Sequence, residues 1–319
     1  MVRKGQDEIR TLKNMAEQPA AQTAFAIELL RPKQGRDVLM AALTVLTRRP
    51  ADDARPALIG LFNHFAERGP ARDPGCFMRR AVLDAWRPVA LPADRATLLQ
   101  AVNTYEYLPP DFHEDAILLR AAALVVLAEL DEEMARYHGV RLLMDDHTDP
   151  MSGEPALTAA KVLASLDETV VLYSYAMRRR GVLPEVVSEC LRSLTNLPDE
   201  LLPDLLDLHQ TSEDAIVLVG LFDLLLNHRS GPHGRDFLTG YLTNGANLDA
   251  YRYLVITLIA QGDDHFVNAV LDVARTMRNP EKVDALADAL AIRSGDPVVG
   301  DVLAQLTDRL RSLPGRTSF

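Results

Sequence analysis

An acidic stretch with a histidine, DDHTDP, offers the side chains of this sequence best suited to hold a metal ion. It contains Asp145, Asp146, His147 and Asp149. A calcium loop needs regularly spaced oxygen ligands and a glycine at its turn, and Pro150 stands where that glycine would fall. Zinc prefers several His or Cys ligands, and this stretch offers a single histidine. We therefore predict no metal site and interpret the stretch as the end of one helix and the approach to the next.

Motifs of the common enzyme classes are missing from the sequence. There is no His-Glu-x-x-His, no Cys-x-x-Cys, no phosphate-binding glycine loop and no Gly-x-Ser-x-Gly nucleophile elbow. The two cysteines, Cys76 and Cys190, are far apart, and no base adjoins Cys76 that would activate its thiol. We predict no catalytic residue and no cofactor, so the sequence favours a non-enzymatic role.

Isolated polar residues interrupt helices that are otherwise apolar. They are Arg120, Asp223, and Arg252 beside Tyr251. A charge on such a helix is tolerated if it faces a solvated groove or pairs with an opposite charge. Both interpretations stay open: a groove-facing position, or an ion pair between adjacent helical units. In the first case we predict that all four residues contact a binding partner.

Three breaks between helices are unusually long, namely GPARDPG, EYLPPDFHE and HTDPMSGEP. If helical units stack side by side, their internal turns fall along one edge, and these loops would form one rim. Phe112, His113 and His147 would then be neighbours of Asp73 and Asp149, and we predict the first three as partner-binding residues. The alternative is neutral drift of loop length, since doubling a loop costs only about 0.6 kcal/mol.

The elements that must position these residues are helices in a repeating pattern. The segment EDAILLRAAALVVLAEL, from Glu114, is echoed by EDAIVLVGLFDLLLNH, from Glu213, at an offset of 99 residues. A unit of about 33 residues cannot bury its own apolar face and must stack on its neighbours. No segment alternates polar and apolar residues between hairpin turns, so we predict no sheet.

The sequence therefore predicts an all-α fold in a single domain over 1–319. We expect an α-solenoid of about eight helical hairpins over residues 20–294. A capping helix is predicted within 1–19 and a second within 295–313, and residues 314–319 are predicted to form a tail.

The second helix of each predicted hairpin is the more apolar one. Examples are LRAAALVVLAEL around Arg120 and LTAAKVLASL after Ala156. These patterns, over roughly residues 20–313, resemble the HEAT-like family of armadillo/HEAT-type helical repeats. The resemblance implies a right-handed superhelix whose second helices line a concave surface that binds protein partners. The chain departs from the family pattern at Met40 and Val219, which occupy places comparable to that of Arg120.

Charge is distributed unevenly along the chain. Residues 1–100 carry a net charge of +5 and residues 101–319 a net charge of −16. A long acidic surface repels a polyphosphate backbone, so nucleic acid is not the expected partner. No apolar run is long enough to span a bilayer, and MVRKGQDEIR is not a secretory signal. We therefore expect no membrane partner. Because its two cysteines lack a disulfide framework, we also expect the protein to be cytoplasmic.

These features predict a scaffold or adaptor that binds a protein or peptide through a concave groove and the loop rim. Two alternatives follow from the same resemblance. One is a nucleic-acid enzyme similar to the HEAT-like DNA glycosylases for alkylated bases, which would need a basic concave face and an aromatic-lined acidic site. The other is a pigment-lyase-like protein. A continuously positive groove would favour the DNA enzyme, whereas a mixed or acidic groove would favour protein partners.

Overall fold

The computed structural model describes residues 2–110 and 113–311. Within these ranges the regular secondary structure is helical apart from one pair of two-residue strands, and neighbouring helices pack on one another. The prediction of a helical fold is confirmed at this level. In the described part, no helix is both long enough and apolar enough to cross a membrane. The chain divides into two compact units, residues 1–168 and residues 169–319.

Unit 1 begins with α1, close to the predicted N-terminal capping helix, and continues with paired helices. Its elements are α1 (Val2–Asn14), α2 (Pro19–Leu29), α3 (Arg36–Arg48), α4 (Arg55–Ala66), α5 (Gly69–Arg72), α6 (Phe77–Trp86), α7 (Arg95–Val102), β1 (Tyr107–Leu108), β2 (His113–Glu114), α8 (Ile117–Leu130), α9 (Glu132–Leu143) and α10 (Ala156–Ser165). Helix α2 packs on α3, α4 on α6, α7 on α8 and α9 on α10.

The second helices of these pairs also pack in series, in the order α3, α6, α8, α10. This explains the sequence of α8, which is apolar on nearly every side. It is contacted by α6, α7, α9 and α10, so little of its surface meets water. Leu119, Ala123, Leu124 and Leu127 are accordingly fully buried.

Unit 2 is built in the same way. Its helices are α11 (Thr169–Ala176), α12 (Pro184–Ser193), α13 (Leu202–His209), α14 (Ala215–Asn227), α15 (Arg235–Asn244), α16 (Leu248–Gln261), α17 (Asp264–Thr276), α18 (Pro280–Ala291) and α19 (Pro297–Arg311). The pairs are α11 with α12, α13 with α14, α15 with α16, and α17 with α18, and the second helices again pack in series.

Several helices of unit 2 begin at a side chain that accepts hydrogen bonds from the first turn. Asp214 caps α14, Asn247 caps α16, Asp263 caps α17 and Asn279 caps α18. Such caps satisfy backbone N–H groups that have no partner within the helix. The cap of α14 lies one residue after Glu213, the acidic residue at which the repeated segment begins.

One glycine sets the distance between two second helices of unit 2. A Cβ atom on Gly220 of α14 would lie 2.6 Å from both the Cα and the carbonyl oxygen of Ser188 on α12. Since both are backbone atoms, a side chain at this position has no room unless the helices move apart.

The prediction of no sheet was wrong at one place. In unit 1, β1 and β2 pair antiparallel, with Tyr107 opposite Glu114 and Leu108 opposite His113. Two residues are too few to show the alternation by which a strand is recognised in a sequence. The strand pair lies in the long loop between α7 and α8, which it folds back on itself.

The only tryptophan of the chain anchors the loop between α6 and α7. The Trp86 side chain is fully buried, and its indole Nε1–H donates to Asp94 Oδ2 at 3.0 Å. Asp94 also accepts from Leu91 N–H at 2.9 Å and pairs with Arg55. Burial acts to raise the pKa of this carboxyl, but the hydrogen bonds from Arg55, Leu91 and Trp86 outweigh burial and hold the pKa below its usual value.

This depressed pKa predicts a contribution to stability that depends on pH. The contribution is fully present above about pH 3.9, the pKa of an aspartate in the unfolded chain. It is lost as pH falls through the lower pKa that Asp94 has in the folded chain. We expect the free energy of unfolding, followed in urea by Trp86 fluorescence, to fall less between pH 5 and pH 3 in Asp94→Asn than in the natural chain. Asp84→Asn, on the same helix as Trp86, is the control because burial raises the pKa of Asp84 instead. An equal acid dependence in Asp94→Asn and the natural chain would contradict the prediction.

Candidate functional site

The three long loops of unit 1 lie side by side, and we call them the loop rim (residues 69–76, 103–116 and 144–155, of which 111 and 112 lie outside the described residues). Buried arginines join them. Arg79 of α6 is 2% exposed and reaches Asp73 Oδ2 at 3.1 Å in the first loop and Glu106 Oε1 at 2.6 Å in the second. Asp73, predicted as a rim surface residue, is fully buried and also accepts from the backbone N–H groups of Met78 and Arg79.

A second buried arginine joins the second loop to the third. Arg120 of α8 lies 2.6 Å from Glu114 Oε2 and 3.4 Å from Asp145 Oδ2, and its Nη1 donates to Thr104 O at 3.1 Å. Its guanidinium carbon is 4.0 Å from the centroid of the Tyr105 ring. One arginine therefore contacts both ends of the second loop and the start of the third.

Tyr105 and Arg141 complete this cluster. The Tyr105 hydroxyl donates to Asp145 Oδ2 at 2.8 Å and accepts from Arg141 Nη1 at 2.7 Å. Burial, followed by the hydrogen bond to Asp145, raises the pKa of Tyr105. With Arg120, Arg141, Glu114 and Asp145, the cluster contains two cations and two carboxylates, so its charges balance. We call these five residues the Arg120 cluster.

The Arg120 cluster decides between the two interpretations of Arg120, a groove-facing position and an ion pair between adjacent helical units. Arg120 is 0% exposed, so it does not face a solvated groove, the position from which a direct partner contact was predicted. The ion-pair interpretation is the one that the structure supports, since Asp145 follows α9 and belongs to the next helical pair. The stretch DDHTDP thus supplies Asp145 to this cluster, while Asp149 Oδ2 accepts from Ser152 Oγ at 2.6 Å.

Tyr107, His113 and His147 are exposed, ring-bearing side chains of the loop rim. Tyr107 is 44% exposed, and its hydroxyl lies 3.0 Å from His147 Nε2. His113 is exposed on the neighbouring strand. His147 is fixed from below because its backbone N–H donates to Asp145 Oδ1 at 2.9 Å. His113 and His147 are therefore surface residues, as the loop-rim prediction requires, and Phe112 lies outside the described residues. We call the contacting pair Tyr107 and His147 the aromatic patch.

Of the predicted partner-binding residues of unit 2, two are buried or mostly buried and one is exposed. Tyr251 is 0% exposed, so it does not face a solvated groove, the position from which its partner contact was predicted. Asp223 is mostly buried, pairs with Arg192 at 3.5 Å and accepts from the Tyr253 hydroxyl, which ties α14 to α12 and α16. Arg252 is 45% exposed and lies 3.8 Å from Asp284, so it remains at the surface.

The second helices of unit 1 border shallow hollows that carry charges of both signs. One hollow, of about 360 Å³, is lined by Met40, Leu43, Thr44, Thr47, Arg48, Ala81, Asp84 and Arg87. Its neighbour, of about 190 Å³, is lined by α6, α8, Glu154 and Thr158. Arg80 lies 3.9 Å from Asp84, and Arg87 lies 2.5 Å from Glu129. The charges on this face are therefore mixed.

The two cysteines do not form a reactive site. Both are 0% exposed free thiols. Burial raises the pKa of Cys76 to about 12, and burial likewise raises the pKa of Cys190. A thiol is nucleophilic only as its thiolate, so neither side chain is activated at neutral pH.

Sequence reasoning missed Tyr105, Glu106 and Arg141, which hold the loop rim together. A weak signal was present. Glu106 and Arg141 are charged residues within or next to long loops, and such residues often pair when loops of adjacent units meet. Comparison with known protein families, with curated proteins and with solved structures finds no match to this chain.

Proposed function

We propose that this protein is a non-enzymatic scaffold or adaptor that binds a protein or peptide partner through the aromatic patch of the loop rim. The observation that carries the proposal is that the exposed aromatic patch stands on a buried, charge-balanced cluster that holds its loops. Burying ion pairs is a costly way to gain stability, and their best-supported use is to fix one arrangement.

A rigid patch has an advantage in binding. A flexible loop loses conformational freedom when a partner docks, and that loss subtracts from the affinity. Loops already held by Arg79 and Arg120 avoid most of this cost. Tyrosine is also among the residue types enriched at the energetic centres of protein interfaces. The exposed carboxylate of Asp146, next to His147, favours a partner surface that carries basic side chains.

The charges of unit 1 support a protein partner over DNA. A glycosylase-like groove needs a continuous run of cations to hold phosphates, whereas the second helices of unit 1 alternate cations with carboxylates. For this reason we place the DNA-enzyme interpretation second, and nothing in the described side chains favours the pigment-lyase alternative.

The finer description of the fold belongs to the same proposal. We infer that the helical pairs of each unit are HEAT-like repeats with a right-handed winding, about eight in total. The serial packing of second helices within each unit supports this inference. Two buried free thiols fit the reducing cytoplasm in which we place the protein.

Capture experiments with matched variants test the function. The natural chain, the double variant Tyr107→Ala/His147→Ala and the control Tyr137→Ala are each immobilised and exposed to extract of the native cell. Tyr137 is 67% exposed on α9, so its loss removes an exposed tyrosine outside the patch. We expect a protein that is retained by the natural chain and the control and lost from the double variant. Its measured affinity should fall at least about tenfold, or 1.4 kcal/mol, in the double variant.

Two results would count against the proposal. Equal retention by the double variant and the natural chain would exclude the aromatic patch as the binding surface. Tight binding of an oligonucleotide with alkylated bases, with no protein retained, would favour the DNA enzyme. Circular dichroism should show the same helix content for all three chains, since the altered side chains are exposed.

A further inference from the structure

We propose that Asp199, His228 and His233 of unit 2 bind one divalent transition-metal ion, and zinc is the ion that suits these donors best. The three residues come from two loops, the one between α12 and α13 and the one between α14 and α15. One ligand atom from each residue lies within 4.8 Å of the other two. Two imidazoles and one carboxylate, with water at the open position, form a common ligand set for zinc.

The buried histidine is already oriented as a ligand. His228 has no exposed side-chain surface, and its Nε2 lies 2.6 Å from Leu197 O. A carbonyl oxygen only accepts, so Nε2 carries the hydrogen and the lone pair sits on Nδ1. That Nδ1 lies 3.7 Å from Asp199 Oδ1 and accepts one long hydrogen bond, at 3.4 Å, from Ser230 N–H, which a bound ion would displace. A histidine whose other nitrogen donates to a backbone carbonyl is the usual state of a metal ligand.

The second histidine has an unused nitrogen. His233 Nε2 is buried, has no hydrogen-bond partner and lies 3.8 Å from Asp199 Oδ2. A buried polar atom without a partner is costly. Both imidazole–carboxylate distances exceed the length of a hydrogen bond, so hydrogen bonding between these groups does not account for the arrangement. An ion between them would satisfy all three residues at once.

The distances leave a small adjustment for binding. Zinc ligands at 2.0–2.2 Å from the ion lie about 3.4 Å apart in a tetrahedron. The two imidazole–carboxylate separations of 3.7 and 3.8 Å, one to each oxygen of Asp199, are a few tenths of an ångström longer, and one ligand atom from each of the three residues lies within 4.8 Å of the others, so side chains must move to close the set. Asp199 is 49% exposed and His233 28% exposed, so both can rotate toward the fixed His228. The exposed side of Asp199 also gives the ion and its water access to solvent.

The backbone around the site is held independently of any ion. His233 N–H donates to Leu225 O at 2.7 Å, and Arg229 N–H donates to Thr195 O at 2.9 Å, which joins the two loops. Gly234 follows His233 with a φ of +60°, a left-handed conformation that favours glycine. Ser230 Oγ donates to Asp199 Oδ1 at 3.0 Å and orients the carboxylate from outside the ligand set.

Zinc titration of the full chain, without an affinity tag and freed of metal by a chelator, tests the proposal. Calorimetry should give one Zn²⁺ per chain, and Co²⁺ should give the visible absorption of a tetrahedral site. Asp199→Asn and His233→Ala should each weaken Zn²⁺ binding at least about 100-fold, and Ser230→Ala about tenfold. All three positions are at least partly exposed, so the variants should fold.

His265→Ala is the matched control because His265 is an exposed histidine of the same unit, next to Asp263 and Asp264. It should bind Zn²⁺ like the natural chain. Saturating Zn²⁺ should raise the thermal unfolding midpoint of the natural chain and of the control, but not that of His233→Ala. Equal Zn²⁺ affinity in the natural chain, Asp199→Asn and His233→Ala would overturn the proposal, as would no binding to the natural chain.

Discussion

Replacing Arg120 by methionine is expected to lower the free energy of unfolding of unit 1 by about 3–5 kcal/mol. Methionine keeps much of the volume of the side chain but removes the charge that Glu114 and Asp145 face. Glu114 is 2% and Asp145 4% exposed at the side chain, so both carboxylates would remain buried without their cation. Urea denaturation followed by Trp86 fluorescence measures the change in this unit.

Arg80→Met, in the same unit, is the control for this experiment. Arg80 is 46% exposed and 3.9 Å from Asp84, and exposed pairs contribute at most about 1 kcal/mol. The double variant Arg120→Met/Glu114→Gln should be more stable than the sum of its single changes predicts, because it removes one stranded charge. If Arg120→Met were as stable as Arg80→Met, the cluster would not be what holds the loop rim.

Replacing Gly220 by alanine is expected to destabilise unit 2 by about 1–3 kcal/mol. The new Cβ atom would lie 2.6 Å from backbone atoms of Ser188, and a backbone in a packed helix cannot turn aside as a side chain can. Alanine is otherwise the better helix residue by about 1 kcal/mol, so the clash must reverse the usual sign. Chemical denaturation followed by circular dichroism measures the change.

Gly240→Ala, in the same unit, is expected to change the stability in the opposite direction. Gly240 lies within α15, and nothing comes within 4 Å of the Cβ position that alanine would add. We expect this variant to be more stable than the natural chain by about 0.5–1 kcal/mol. A stabilising Gly220→Ala would show that α12 and α14 separate easily, and the close contact would then carry no structural weight.

The helices could be predicted because each carries its own pattern. A run such as AILLRAAALVVLAEL predicts both that α8 is a helix and that it is buried, and no other segment is needed for the prediction. The strand pair at Tyr107 escaped prediction because two residues contain no periodicity.

The contacts of charged residues could not be predicted in the same way. The sequence shows that Arg120 needs a partner or solvent, but the partner is decided by which loops meet in space. Asp145 looked like part of a poor metal site and proved to be half of a buried ion pair. Asp199 and His228 lie in two loops whose sequences, NLPDE and NHRSGPHGR, match no known metal motif. Only the fold brings them together.

The burial of both natural thiols has a practical consequence for studying this protein. Cys76 and Cys190 are 0% exposed, and burial raises their pKa values, so thiol-directed reagents should leave them unmodified in the folded chain. A cysteine introduced at an exposed site such as Tyr137 would then react selectively. Fluorophores or spin labels could be attached to the otherwise natural chain, and partner docking could be followed by distance measurement.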